Sequence, residues 1–164
     1  MGGMYANNTS VSVEKSRAEI EAVLGRYGAE SFAYATDPGR AVVGFTIRDT
    51  TGTRLAIKMT LPLPDKSERR FTTYRNGSRT FQRDPAQAMK QWEQACRSSW
   101  RSLCLVIKAK LEACAAGIST IEREFLADIV LPQGGTVGEW LSPELKSISE
   151  SGRVPRLMLA GGGS

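Results

Sequence analysis

Apolar residues recur at helical spacing near the start of the chain. Val13, Ile20, Val23, Leu24 and Tyr27 share one face of a helix predicted over Val13 to Tyr27, and Ser16 is small enough to sit on that face. Ser12 supplies the N-cap and Gly28 the residue past the end. The period then changes to two. Phe32 and Tyr34, then Val43, Phe45 and Ile47, then Leu55, Ile57, Met59 and Leu61 alternate with small or polar residues. Asp37-Pro38-Gly39 and Asp49 to Gly52 separate the three runs as turns. This pattern predicts an antiparallel β-meander with one apolar face, and that face needs a cover. The opposite face carries Thr46, Arg48, Arg54, Lys58 and Thr60.

Pro62 and Pro64 end the third strand, because proline cannot donate to the ladder. Between Asp65 and Arg83, Phe71 to Arg75 and Ser78 to Arg83 flank Asn76-Gly77, which predicts a β-hairpin closed by a type I′ turn at that pair. Asp84 caps a long helix with Pro85 at its first position, predicted to reach Ala116 and to stop at Gly117. Ser119 and Glu122 predict a helix over Thr120 to Val130; Thr136 and Glu139 repeat the signature, and Ser142-Pro143 restarts a last helix to Ser151. The fold class is therefore α+β: a three-stranded antiparallel β-meander plus a basic β-hairpin, packed on a long α-helix in α-β-β-β-α order, with short C-terminal helices. Residues 1–10 read as a flexible leader, 11–151 as a single α+β domain and 152–164 as a flexible tail.

The long helix carries two stripes. Met89, Trp92, Cys96, Trp100, Leu103, Ile107, Leu111 and Cys114 form an apolar one, expected to pack on the sheet. Cys96 and Cys114 stand about 27 Å apart along the axis and cannot share a metal or a disulfide. All three cysteines read as small buried hydrophobes in a reducing cytosol. Lys90, Arg97, Arg101 and Lys108 form the second stripe, about 40° wide and about 110° from the first. Such a row reads either as a solvated face or as a line of phosphate contacts.

Charge sharpens the reading only locally. A net charge of +5 is unremarkable in itself, but between Lys66 and Arg83 six bases face one acid, Glu68. Lys66, Arg69, Arg70, Arg75, Arg79 and Arg83 are interleaved there with Phe71, Tyr74 and Phe81. Guanidinium groups grip phosphates and aromatic rings give bases a surface to stack on, the combination that single-strand binding needs. The residues singled out for binding are Arg69, Arg70, Tyr74, Arg75, Arg79, Phe81, Arg83, Lys90, Arg97, Arg101 and Lys108.

The chain has no histidine, which removes the commonest general base and metal ligand. Glu124 and Asp128 are one helical turn apart, but no further acid announces a two-metal site. Pro64-Asp65 lacks a following Glu-x-Lys at strand spacing, and Glu144-x-Lys146 is too distant. No phosphate-binding glycine loop, Cys-x-x-Cys pair or dinucleotide fingerprint is present. The reading is a non-enzyme with no catalytic residue, metal or cofactor. No apolar run is long enough for a membrane span, and the first ten residues lack the features of a secretion signal, so a cytoplasmic protein is expected.

The α-β-β-β-α order resembles the double-stranded RNA-binding domain and the core of phage single-strand annealing proteins in topology alone. Val106 to Trp140 (VIKAKLEACAAGISTIEREFLADIVLPQGGTVGEW), LPLPD at Leu61 to Asp65 and WEQACRSSWRSL at Trp92 to Leu103 resemble a group of phage and prophage proteins. That resemblance spans about half of the chain, from Leu61 to Trp140. It implies phage origin and no particular activity, and it transfers no catalytic residue. Two functions from different classes follow. The first is single-stranded DNA binding or annealing, as a homo-oligomer in the annealing case. The second is a non-enzymatic module that docks on a host protein, such as an inhibitor of a defence complex, with Tyr74, Phe81 and Trp140 as anchors. A virion assembly component is a third.

Overall fold

The computed structural model describes residue 6 and residues 9–152. The leader and tail expected at 1–10 and 152–164 fall largely outside them. Helix α1 spans Val13–Arg26, and Ser12 caps it by accepting a hydrogen bond from the Lys15 amide. Strands β1 (Ser31–Asp37), β2 (Arg40–Arg48) and β3 (Arg54–Pro62) follow. They form one antiparallel sheet in the order β1-β2-β3. Both turns are built as their sequences predict. Asp37 Oδ1 accepts from the amides of Gly39 and Arg40, and Asp49 Oδ1 accepts from those of Thr51 and Thr53.

The register pairs Phe32 with Phe45, Tyr34 with Val43, Val43 with Met59 and Phe45 with Ile57, so one face is apolar throughout. Helix α3, Pro85–Ala115, covers it with Trp100, Leu103, Cys104, Ile107 and Leu111. Helix α1 adds Ile20, Val23 and Leu24. The two helices run in the same direction. The Gln94 amide donates to the Thr9 carbonyl, Arg101 pairs with Glu19, and the Glu112 carboxylate lies near Tyr27, whose hydroxyl pKa it pushes up. Arg17 lies between two rings, its guanidinium 4.5 Å from the centroids of both Tyr34 and Trp100.

Ser16 is fully buried in this helix pair and its hydroxyl has no hydrogen-bond partner. An unsatisfied buried hydroxyl costs about 1–3 kcal/mol, and alanine is also the better helix former. Ser16→Ala is therefore expected to raise the melting temperature by about 2–4 °C per kcal/mol recovered. A drop on thermal denaturation would mean that the hydroxyl is satisfied in solution.

Two expectations for the second half need correcting. The helix predicted over Thr120 to Val130 stops early: α4 is only Ile121–Glu124, and a single 3-10 turn, Leu126–Asp128, follows. The free edge of β3 takes the rest. Ile129 bridges to Ile57, and the Val130 amide donates to the Ala56 carbonyl at 2.8 Å. β-Branched residues beside an unpaired strand edge gain more from that ladder than from another helical turn. The last helix does not restart at Ser142-Pro143 but runs unbroken as α5, Val137–Ser151, from the capping box of Thr136 and Glu139. Pro143 lies inside it, and Ser142 Oγ donates to the Gly138 carbonyl one turn back.

Candidate nucleic-acid interface

The segment before α3 is where the structure adds most. Arg69–Thr72 was expected to lie partly in a strand, from Phe71; it forms a helical turn, α2. Phe71 is buried there, and α2 packs on α3, so an apolar anchor favours the turn over an extended start to the hairpin. Strands β4 (Thr73–Asn76) and β5 (Arg79–Gln82) then make the hairpin. The turn is one residue further on than expected. Asn76 pairs with Arg79, so the two central residues are Gly77 and Ser78, with Gly77 at φ 61°. Glycine at the first central position is the II′ signature, and positive φ there is what glycine allows at no steric cost.

That shift has a consequence for chemistry. It sets Tyr74 directly opposite Phe81, and their rings stack at 5.6 Å between centroids with planes 25° apart. Both rings are exposed, at 44% and 41%. Strand alternation puts Arg79, near the tip, on the same face, and Arg83 reaches that face from the root. The Arg83 guanidinium stands 5.8 Å from the Tyr74 centroid while Nε and Nη2 donate to the carbonyls of Phe71 and Thr73. Arg83 thus ties the arm to α2. The other face carries Arg75, whose Nε donates to the Gly77 carbonyl.

Besides Tyr74 and Phe81, the nine basic residues among the eleven singled out divide into three sets. Arg69, Arg75, Arg79 and Lys90 are exposed and make no ion pair among the described residues. Arg70 and Arg83 are partly committed, Arg70 to Glu68 and the Phe71 ring, Arg83 as above. The helix stripe is the third set, and it is not the open row of cations that a wheel suggests. Helix α1 lies along that side of α3. Arg101 Nη1 sits 2.5 Å from Glu19 Oε2, Arg97 is held by Gln94 Oε1, and Arg97, Arg101 and Lys108 are all half-buried. Only Lys90, beyond the start of α1, is left open. Reversal at Arg101, which looks harmless on a wheel, would set two carboxylates against each other in this interface. Arg101→Glu is expected to lower the melting temperature.

The Arg101 guanidinium, by hydrogen bond and charge, holds the Glu19 carboxyl below its ordinary value near 4.5. A lowered folded-state value means stabilisation that is present above the unfolded pKa and lost as pH falls through the folded one. The stability gap between the native chain and Glu19→Gln should therefore close as pH is lowered from neutral to below about 4. A gap independent of pH, read by thermal melts, would mean that the pair contributes nothing.

A cleft of about 310 Å³ opens between the hairpin root and the first turns of α3. Pro85, Ala88, Met89 and Trp92 line it from the helix. Thr72, Gln82, Arg83 and Lys66 line it from the arm and the segment before it. Trp92 is fixed by its indole N–H donating to the Pro64 carbonyl at 2.8 Å, and the Lys66 ammonium lies 4.2 Å from its ring centroid. Sequence reading used Trp92 only as core and did not find this cleft. The signal was there in Lys66 and Pro64, but it needed the loop to fold back over α3.

Elsewhere, Glu122, Glu124 and Asp128 do not converge. Lys110 takes the Glu124 carbonyl and lies 3.9 Å from its carboxylate, while burial pushes the Asp128 carboxyl up. Among the described residues no group of three or more Cys, Asp or Glu could hold a metal. Cys96 and Cys104 are buried and Cys114 half-buried, and burial raises all three thiols. No helix among the described residues is long and apolar enough to cross a membrane. Comparison with protein-family models, with curated proteins and with solved structures gives no match.

Proposed function

We propose that this chain binds single-stranded nucleic acid through the Thr73–Gln82 hairpin, with the phage-like segments of its sequence favouring DNA. One observation carries the reading. An exposed stacked pair, Tyr74 and Phe81, lies on a hairpin face between the guanidiniums of Arg79 and Arg83. A cross-strand aromatic pair steadies a hairpin by only about 0.2–1 kcal/mol, whereas a base needs such a platform and its phosphates need the arginines beside it. Duplex bases are already stacked on one another and cannot use it. Annealing of complementary strands is the wider role that suits such a grip.

The test is fluorescence anisotropy with labelled single-stranded and duplex oligonucleotides at two salt concentrations. With three to four open cations in contact, log affinity should fall with log salt at a slope of about −2 to −3 for single strands. Equal affinity for duplex, or no binding at low salt, would remove the reading.

A second reading rests on a different element. Helix α5 buries none of its residues, although Val137, Trp140, Leu141, Leu145 and Ile148 share one side, and Trp140 is 52% exposed. That surface suits a protein partner of a non-enzymatic interaction module. A defined complex with a host protein that survives nuclease and salt, and is lost in Trp140→Ala, would favour it over the first.

A further inference from the structure

We infer that the cleft at the hairpin root is a mononucleotide site that takes one base with its phosphate. This deepens the proposed single-strand reading and rests on it for the source of the base. The volume of about 310 Å³ is at the small end of the range of ligand sites, about 300–1,000 Å³, so it suits one nucleotide rather than an extended ligand. The chemistry of the lining is divided in the way a nucleotide is divided. Ala88, Met89 and the Trp92 ring give an apolar surface for the flat face of a base. The Gln82 amide offers a donor and an acceptor to a base edge, and it makes no side-chain hydrogen bond among the described residues.

Lys66 and Arg83 supply the charge for a phosphate, and among the described residues no acidic one lines the cleft. Arg83 has five N–H donors and spends two of them, on the carbonyls of Phe71 and Thr73. Those two bonds hold the guanidinium in place and leave three donors for a ligand. Arg83 also lies against Tyr74, so it joins the cleft to the stacking platform. A strand stacked on Tyr74 and Phe81 therefore has a neighbouring base within reach of the cleft. A free nucleotide offers the same chemistry.

The experiment follows the indole N–H resonance of Trp92 in a nitrogen-15 correlation spectrum of the full chain, titrated with deoxyadenosine 5′-monophosphate. A saturable shift is expected, with affinity about tenfold weaker for deoxyadenosine and for inorganic phosphate, because each supplies half of the contacts. Gln82→Glu changes an exposed residue, so folding is preserved, and it should weaken the mononucleotide by about tenfold by adding an anion to the rim. Inorganic phosphate binding as well as the mononucleotide, or an unaltered affinity in Gln82→Glu, would overturn the assignment. Labelled oligonucleotides run in parallel separate the two claims. An unmoved Trp92 resonance beside intact oligonucleotide binding overturns the cleft and leaves the arm. A shifted resonance without oligonucleotide binding upholds the cleft as a site for free nucleotides and removes the arm. Failure of both removes both.

Discussion

Replacing Tyr74 and Phe81 together by alanine is expected to weaken single-strand binding by about tenfold to a hundredfold. The estimate follows from the loss of one base-stacking platform, worth about 1–3 kcal/mol per base. The pair is exposed and sits on a two-stranded hairpin whose cross-strand contacts contribute about 0.2–1 kcal/mol, so the fold should survive. The cooperative core lies elsewhere, between α1, α3 and the sheet. Arg75→Ala with Arg79→Ala acts differently. It should reduce the salt slope by about one to two, since each phosphate contact contributes about 0.7 on a single strand. The aromatic variant should leave that slope nearly unchanged. Anisotropy titrations of both variants at several salt concentrations, with circular dichroism as the check on folding, separate the two effects. A folded aromatic variant with native affinity would show that the rings are not a platform.

The meander was legible because each strand buries one face and wets the other, which writes a period of two into Val43, Phe45 and Ile47 and again into Ile57 and Met59. Helix α3 was legible because Asp84, Pro85 and Gly117 mark its ends with local chemistry. What escaped is non-local or depends on one-residue precision. Asn76-Gly77 signals a hairpin, but whether the turn closes on that pair or on Gly77-Ser78 is a matter of competing registers. The register it took is the one that stacks Tyr74 on Phe81 and leaves Arg83 to bond back to α2. The fate of the basic stripe depends on Glu19, 82 residues away from Arg101 in sequence, and no periodicity within α3 reports which helix will lie beside it. The cleft depends in the same way on the Lys66 loop reaching Trp92.

The C-terminal segment gives the largest expected effect on stability. Ile121, Phe125, Leu126 and Ile129 are all apolar in the stretch IEREFLADI, so spacing alone does not single out Phe125, yet its side chain is fully buried while Leu126 is exposed. It meets Phe45 of β2 edge-on, with centroids 5.5 Å apart and planes at 86°. Lys110 of α3 lies 5.2 Å from its ring, and the same ammonium takes the Glu124 carbonyl. Phe125 therefore closes the end of the layer between helix and sheet, and explains why α4 ends where it does: a continued helix would carry Ile129 and Val130 away from β3. Phe125→Ala should cost about 3–5 kcal/mol, a large share of the roughly 5–15 kcal/mol that holds a domain together. The melting temperature should fall by about 6–20 °C, at about 2–4 °C per kcal/mol. Phe81→Ala serves as the comparison, since an exposed ring of the same size should move it by no more than about 4 °C. Below its own melting range, Phe125→Ala should bind single strands as the native chain does, because the arm is anchored on α2 and the start of α3 rather than on this corner. Equal melting temperatures for the two variants would mean that residues 120–130 are not part of the cooperative core, and the sheet would then have to be held by α1 and α3 alone.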